Sequence, residues 1–467
     1  MHILQKILAD RDKPGCARGV YSVCSANEFV ISAAMEEGVR TGAPVLIEAT
    51  ANQVNQYGGY TGMKPADFKE YAESLARKAG LDGDMLILGG DHLGPLTWQN
   101  ECEADAMAKS EILIRDFIAA GFVKIHIDTS MRLADDDASA RLSDETIAAR
   151  AARLAAAAEN ARRSEQDASQ AARQPLYIIG SEVPIPGGAT GEDGNYNIPG
   201  GAAGEDGSCN IPGGAAGVGG ESIDHGVRVT SPEQLLSTYR TFRDAFERAG
   251  LGGAFSRVLG IVVQPGVEFG DDQIDEYDRG EAKRLIAALP ECGGLVFEGH
   301  STDYQTKYKL REMARDGVAI LKVGPALTFA LREALFALEH IERELLSARS
   351  AEYTLSNFAG ELDASMMRKP GDWIKHYRGG GPELYFKRRF SLSDRARYYL
   401  PDPTVQRAER LLIDNVNSVN IPLSLISQYL PTVYTAIREG RCAPDAESML
   451  KMRVKDCIAD YLFAVTC

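Results

Sequence analysis

Ionisable side chains recur directly after short apolar segments in this sequence. Asp91 and His92 follow one such segment, and Glu298 and His300 follow another. A lone histidine is more often a hydrogen-bonded core residue than a ligand. Two histidines flanked by carboxylates instead favour a divalent metal site, because imidazole and carboxylate groups are common ligands of such ions. We therefore predict that His92 and His300 bind a metal.

Further polar residues end other apolar segments. Glu48 and Glu182 should each have a partner, either a metal or a substrate hydroxyl, because an unpaired buried carboxylate is costly. Lys322 and Gly324 end the last apolar segment, in the region where barrel proteins bind phosphate. Lys322 therefore either binds a phosphate or forms an internal ion pair, and the sequence leaves both alternatives open.

A third histidine lies close to an aspartate in the sequence. His126 precedes Asp128 by two residues, so both side chains share one face if this segment is a strand. The alternation over residues 124–128 does not show which face is interior. We interpret His126 as a structural residue.

Eight short apolar segments, separated by stretches of helical periodicity, must position these groups. They are Gly19–Cys24, Pro44–Ala49, Met85–Gly89, Val123–Ile127, Leu176–Ile179, Val258–Val263, Gly294–Phe297 and Val318–Val323. Segments that are apolar on both faces are typical of buried parallel strands. Eight successive strand-then-helix units predict an α/β protein with a (β/α)₈ TIM barrel, and neither a GxGxxG nor a Walker A motif favours an open sheet. Every predicted strand ends in a polar group, which places a site at the carboxyl ends of the strands.

After about residue 345 the sequence contains helical patterns but no further strand-like apolar segments. We predict a barrel over residues 1–345 and a helical C-terminal extension over 346–467, packed on the barrel or on a partner subunit. A 13-residue Gly/Pro-rich repeat occupies residues 185–223, within an insertion of about 184–223. We interpret this insertion as a flexible loop, which arose by tandem duplication at a tolerant surface or serves as a mobile lid.

Composition limits the possible partners. The net charge of −15 argues against nucleic-acid binding, which requires clustered Lys and Arg, although backbone N–H groups can still bind a phosphate. The eight cysteines form no CxxC pair, which favours reduced cytosolic thiols. Neither a signal peptide nor a run of about 18 apolar residues is present, so we expect a soluble cytoplasmic protein with no membrane contact.

Several long motifs resemble one known family. They are PVLIEATANQVNQYGGYTGM (44–63), GGDHLGPLTWQ (89–99), KIHIDTSM (124–131), GSEVPIPGGA (180–189), VVQPGVEF (262–269), FEGHSTDYQT (297–306) and FSLSDRARYYL (390–400). In this order they resemble the Z-subunit family of tagatose-bisphosphate aldolase (GatZ/KbaZ), over essentially the whole chain apart from the repeats. That family is similar to the zinc-dependent class II aldolases, whose Asp-His pair matches Asp91-His92 and whose Ile-Asp-x-Ser segment matches residues 127–130.

The resemblance also implies roles for individual residues. Two further zinc histidines of class II aldolases are not cleanly preserved, since one falls among residues 264–268 and the other near Glu298, two residues before His300. The implied metal ligands are His92, His300, Glu268 and Glu298, for zinc, manganese or magnesium. The implied proton-transfer groups are Asp91 and Asp128, with Glu182 ligating or assisting. The implied substrate contacts are Lys322, Gly324 and Ser301 for phosphate, and Asn27, Glu48, Asn52 and Gln53 for the sugar.

Family members have been described in two ways, which imply two functions. One is a 4-epimerase that interconverts D-tagatose 6-phosphate and D-fructose 6-phosphate in galactitol- or tagatose-type sugar catabolism. The C4 hydrogen is β to the ketone, so inversion would require cleavage and re-formation of the C3–C4 bond, assisted by a metal. The alternative is a non-catalytic subunit that stabilises the catalytic subunit of a class II aldolase. We expect the epimerase and a homo-oligomer; a sugar-phosphate kinase is disfavoured because no nucleotide-binding loop occurs.

Overall fold

Eight parallel strands close into a barrel in the computed structural model, which describes residues 1–164, 174–181 and 227–466. The barrel strands are β1 (Val20–Val23), β2 (Val45–Thr50), β3 (Leu86–Leu93), β4 (Lys124–Ile127), β5 (Leu176–Ile179), β6 (Val258–Val263), β9 (Val296–Gly299) and β10 (Val318–Val323). Between β6 and β9, the two-residue strands β7 (Glu268–Phe269) and β8 (Ile274–Asp275) pair with each other antiparallel. Around the barrel the order is β1-β10-β9-β6-β5-β4-β3-β2. The predicted TIM barrel is therefore confirmed, whereas Glu182 and the 13-residue repeats lie outside the described residues.

Helices follow the barrel strands and surround the barrel, and one further helix precedes the first strand. They are α1 (Ile3–Asp10), α2 (Glu28–Thr41), α3 (Pro65–Ala79), α4 (Glu103–Ala120), α5 (Asp144–Ser164), α6 (Pro232–Arg248), α7 (Gly252–Phe255), α8 (Arg279–Ala288), α9 (Lys307–Arg315) and α10 (Pro325–Leu346). Their boundaries follow from the local sequence. Ser231 caps α6 with its hydroxyl and Gln234 completes the capping box, while Gly80 and Gly121 end α3 and α4 in the left-handed conformation.

Apolar side chains close one end of the barrel. Leu4 and Leu8 of α1 pack against the residues that begin the barrel strands, including Leu46 and Ile87. A larger apolar cluster fills the space between the strands and the surrounding helices. Because α1 covers the amino ends of the strands, the polar interior opens toward their carboxyl ends.

The C-terminal region is helical, as predicted. It contains α11 (Phe358–Arg368), α12 (Gly381–Phe390), α13 (Pro403–Asn417), α14 (Leu423–Tyr429), α15 (Pro431–Arg438) and α16 (Ala446–Val465). The last helix, α16, lies on the barrel: Lys451 contacts Glu36 of α2 at 2.5 Å, and the Tyr461 hydroxyl donates to the carbonyl oxygen of Thr302 at 2.8 Å. Among the described residues, no helix is long and apolar enough to cross a membrane.

Candidate functional site

Two adjacent strand ends bring the first site residues together. Asp91 and His92 lie near the end of β3, and Asp128 directly follows β4. A side chain at Gly94 would place its Cβ only 1.8 Å from the backbone oxygen of Asp128, so glycine permits this close approach. His92 has a φ of 47°, a conformation that non-glycine residues rarely adopt and that recurs at functional sites.

Three histidines and one aspartate converge at the mouth of the barrel. Asp91, His92, His126 and His300 each offer a potential ligand atom, and these atoms lie within 4.8 Å of one another. All four residues are buried. The structure thus unites the predicted pair His92 and His300 and adds His126, which we had interpreted as structural. The position of Lys124 explains why His126 faces this cluster. Lys124 is fully buried inside the barrel, and alternation along β4 turns His126 to the same side.

Carboxylates orient the histidine rings. His92 Nδ1 lies 2.8 Å from Asp128 Oδ2, and His126 Nδ1 lies 2.8 Å from Asp91 Oδ1. His126 Nε2 is buried and has no hydrogen-bond partner among the described residues. A buried imidazole nitrogen without a partner, beside other potential ligands, fits a divalent ion, and the paired carboxylates resemble the outer shell of such sites. His92, His126 and His300 could therefore hold a metal, with Asp91 beside them.

The electrostatic environment shifts the pKa values of His300 and His92 in opposite directions. Burial and the charge of Lys322 lower the pKa of His300 to about 3, so its ring is neutral at physiological pH. Burial also lowers the pKa of His92, but Asp91 and Asp128 raise it more, and the net shift is upward. Burial raises the pKa values of both aspartates, yet their basic neighbours lower them more, so both stay ionised.

An ion-pair network fills the barrel beneath the histidines. Lys124 Nζ lies 2.8 Å from Glu48 Oε1 and 2.7 Å from Glu298 Oε2, and all three side chains are fully buried. Lys322 Nζ contacts Asp91 and lies 3.3 Å from Glu48 Oε2. Glu298 Oε1 also lies 3.1 Å from His300 Nε2. The structure therefore places Glu48 among internal ion pairs rather than on the sugar, and Glu298 in contact with a histidine rather than in the metal cluster.

Gly324 and Ser301 are the other two residues predicted to bind phosphate, and Gly324 has a partner within the protein. Gly324 precedes α10, and its N–H donates to Asp303 Oδ1 at 3.0 Å. The N–H of Ala326 donates to the same oxygen at 2.8 Å. The backbone donors of α10 thus bind a carboxylate of the protein. Ser301 lines the cavity at the barrel mouth and has a φ of 53°.

The predicted sugar-binding residues divide into two groups. Asn52 and Gln53 line the cavity, where the Asn52 amide oxygen accepts a hydrogen bond from Thr97 at 3.0 Å. Asn27 caps α2, and its Oδ1 accepts the N–H groups of Phe29 and Val30. Glu268 lies in β7, outside the cluster of potential metal ligands, and its Oε1 accepts the N–H of Phe269.

Sequence reasoning missed several residues around the cavity. Arg397 and Tyr398 come from the C-terminal region, and Tyr60 comes from the loop after β2. The rings of Tyr60 and Tyr398 meet edge to face at 5.0 Å between centroids. The conspicuous basic and aromatic run of residues 395–399 was the available signal.

Comparison with known proteins identifies the family. A family model described as "D-tagatose-1,6-bisphosphate aldolase subunit GatZ/KbaZ-like" matches residues 4–202 and 207–466. The chain belongs to this GatZ/KbaZ-like family. A GatZ subunit of D-tagatose-1,6-bisphosphate aldolase from Salmonella newport is 42% identical over 461 residues, covering 99% of both chains. The corresponding protein of Salmonella paratyphi B is 42% identical over 463 residues, again covering 99% of both chains.

A solved structure extends the family likeness to three dimensions. The crystal structure of a probable tagatose 6-phosphate kinase from Sinorhizobium meliloti aligns with a TM-score of 0.80 and 43% sequence identity. The alignment covers 96% of this chain and 100% of that one. The likeness therefore extends over the helical C-terminal region as well as the barrel.

Proposed function

We propose that this chain is a subunit of a D-tagatose-1,6-bisphosphate aldolase, as the names of its relatives state. The observation that carries this proposal is the 42% identity to the GatZ subunit from Salmonella newport, over 99% of both chains. Its partner would be the catalytic subunit of a class II aldolase. The proposal predicts that the purified chain prolongs the active half-life of that subunit at elevated temperature. An unchanged half-life at a stoichiometric excess of the chain would contradict it.

A second function, 4-epimerisation of a ketohexose 6-phosphate, is favoured by the cluster at the barrel mouth. A subunit that only stabilised its partner would have no need of three converging imidazoles beside a carboxylate. In the described part of the chain His126 Nε2 is moreover buried without a hydrogen-bond partner, which is costly unless a ligand occupies that position. These features support a catalytic site within this chain.

The chemistry of the substrate sets what such a site must do. In D-tagatose 6-phosphate the C4 hydrogen is β to the ketone, so its removal gives no resonance-stabilised anion. Loss of the O4 proton and cleavage of the C3–C4 bond instead give an aldehyde and an enediolate. Rotation of the aldehyde followed by bond formation inverts C4 and yields D-fructose 6-phosphate. A divalent ion held by the three histidines would supply positive charge for the enediolate.

The chain's own residues divide the remaining tasks. Asp91 lines the cavity, so we assign to it acceptance and return of the O4 proton. Asp128 binds His92 Nδ1 and accepts the Ser130 hydroxyl at 2.7 Å, which makes it a positioning residue. Asn52 and Gln53 line the same cavity, and we assign to them the contacts with sugar hydroxyls. Retention of both fragments in this cavity would turn an aldol cleavage into an epimerisation.

Incubation of the purified chain alone with D-tagatose 6-phosphate tests the second function. We expect D-fructose 6-phosphate to form with added Zn²⁺, Mn²⁺ or Mg²⁺, and its formation to stop with a chelator or in His92→Ala. His340→Ala, at an exposed position on α10, is the matched control and should remain active. Absence of turnover with all three ions, together with a longer half-life of the aldolase partner, would leave only the subunit function.

The kinase activity named for the Sinorhizobium protein is not part of this proposal. Its name implies transfer of a phosphoryl group from a nucleotide. This sequence contains no Walker A motif and no GxGxxG motif.

A further inference from the structure

A segment from the C-terminal region reaches the mouth of the barrel. It includes the short 3₁₀ helix Arg395–Tyr398, whose Arg397 and Tyr398 line the same cavity as His92 and Lys322. Asp394 holds this segment on α10: its carboxylate accepts from Arg332 Nε at 2.9 Å and from the Thr328 hydroxyl at 2.6 Å. Arg397 is therefore fixed at the cavity by the fold of the C-terminal region.

Arg397 has no carboxylate partner in the part of the chain that the structure describes. Its guanidinium donates to the backbone oxygens of Ser393 and Asp394, at 2.5 and 3.0 Å, and to the Tyr398 hydroxyl at 3.1 Å. These acceptors are neutral, and the Asp394 carboxylate is already paired with Arg332. Among the described residues, the charge of Arg397 is thus not neutralised by an ion pair.

A second cation lies beside the first. Arg395 is 5% exposed, and its Nε has no hydrogen-bond partner within the described ranges, while one terminal nitrogen lies 3.0 Å from His376 Nδ1. Both guanidinium groups lie over the Tyr398 ring, with their Cζ atoms 4.6 Å (Arg397) and 5.8 Å (Arg395) from its centroid. Burial raises the pKa of the Tyr398 phenol, but the two arginines lower it more, so the net shift is downward. Neither arginine forms an ion pair with a carboxylate of the described residues, and two such neighbouring cations are costly unless an anion joins them.

The groups at the end of β10 are less suited to bind that anion. Lys322 contacts Asp91 and lies near Glu48 and Glu298, and the N–H groups of Gly324 and Ala326 donate to Asp303. An incoming phosphate would have to displace these internal contacts. At Arg397 it would meet a guanidinium whose acceptors among the described residues are neutral, and guanidinium groups bind phosphate through paired N–H donors.

We propose that Arg397, supported by Arg395 and the hydroxyls of Tyr398 and Ser301, binds the phosphate group of a sugar-phosphate substrate. This site deepens the proposed function and rests on it for the identity of the substrate. The C-terminal region then has a direct part in substrate binding. The sugar carbons would extend from Arg397 across the cavity toward His92.

Calorimetric titration with D-tagatose 6-phosphate and with inorganic phosphate tests the site. We expect Arg397→Gln to weaken binding of both by about 10- to 100-fold, the usual effect of losing a charged hydrogen bond. Arg397→Lys keeps the charge without the paired donors and should fall between wild type and Arg397→Gln. Arg438→Gln is the matched control, because Arg438 also donates to a tyrosine hydroxyl, that of Tyr434, but does not line the cavity. Wild-type affinity in folded Arg397→Gln would overturn the proposal.

A second measurement does not depend on how well a variant folds. Phenylglyoxal modifies accessible guanidinium groups, and mass spectrometry of peptides reports the modification of each arginine. In the wild-type protein, inorganic phosphate should slow the modification of Arg397 several-fold and leave Arg438 unaffected. Equal rates at Arg397 with and without phosphate would contradict the site.

The failure of this site and that of the proposed function give different results. Phosphate protection of Arg397, without turnover or stabilisation of an aldolase partner, would support the site and refute the proposed function. Turnover of D-tagatose 6-phosphate with the same KM in wild type and Arg397→Gln would refute the site and leave the function intact.

Discussion

The buried ion pairs of Lys124 offer the sharpest test of how the site is supported. Replacing Lys124 with methionine leaves an unbranched side chain one heavy atom shorter and removes a cation that lies 2.8 Å from Glu48 and 2.7 Å from Glu298. Three carboxylates, those of Glu48, Asp91 and Glu298, would then face the single ammonium of Lys322.

The expected loss of stability follows from that charge balance. Removing one partner of a buried ion pair lowers the free energy of unfolding by about 3–5 kcal/mol, because the remaining charge is left in a medium of low polarity. Burial lowers the pKa of Lys124, but Glu298 and Glu48 raise it more, so wild-type Lys124 is charged across the accessible pH range. In Lys124→Met one carboxylate can relieve the imbalance by binding a proton. The loss should therefore be smaller at pH 5 than at pH 8.

Urea unfolding at several pH values measures this loss. Lys109→Met is the matched control, because Lys109 forms an equally short pair with Glu101, at 2.6 Å, with side chains 32% and 34% exposed. Solvent screens such a pair, so this variant should unfold close to wild type. The double variant with Glu48→Gln should recover part of the loss by removing one unpaired charge. If Lys124→Met were as stable as Lys109→Met, the network would not support the barrel as argued.

Three further substitutions test other parts of the molecule. Burial raises the pKa of Asp303 to about 6, so this carboxyl contributes stability below about pH 4 that is lost as the pH rises through 6. The free energy of unfolding of Asp303→Asn, measured in urea, should therefore rise relative to that of wild type by about 2–3 kcal/mol between pH 4 and 7. A difference between the two proteins that stays constant with pH would refute this. His126→Ala should weaken Zn²⁺ binding, measured by competition with a chromogenic chelator, at least about tenfold, while His340→Ala should not. Asn27→Ala should cost about 1 kcal/mol of unfolding free energy through loss of the α2 cap, and an unchanged urea midpoint would contradict that role.

Much of the barrel could be predicted from the sequence because its strands are buried on both faces. Three predicted segments, Leu176–Ile179, Val258–Val263 and Val318–Val323, match strands of the structure residue for residue. β3 departs most from its prediction, since it continues through Asp91 and His92 to Leu93 rather than ending at Gly89. The predicted strands were defined as apolar segments, so each prediction ended where polar side chains began. At the mouth of the barrel, however, the strand continues through polar residues.

The site was harder to predict than the barrel that carries it. Alternation along β4 left the face of His126 open, and its position depends on the pairing of Lys124 with Glu48, a residue 76 positions away. The pairing of Glu48 and Glu298 through one lysine likewise depends on barrel closure rather than on local sequence. Arg397 follows the last barrel strand by more than 70 residues, so no strand-end rule could place it at the mouth.

The position of Arg397 bears on the difference between an aldolase and an epimerase. Both reactions break the C3–C4 bond, and they differ in whether the aldehyde fragment leaves before the bond re-forms. In a ketohexose 6-phosphate the phosphate belongs to the C4–C6 fragment, which is the aldehyde that must rotate. A guanidinium that binds this phosphate would keep the aldehyde in the cavity while its carbonyl face turns. Arg397→Gln should therefore release glyceraldehyde 3-phosphate from D-tagatose 6-phosphate in place of part of the epimer, which an assay coupled through triose-phosphate isomerase and glycerol-phosphate dehydrogenase detects. A fall in epimerisation without any released triose would show that Arg397 acts only in binding.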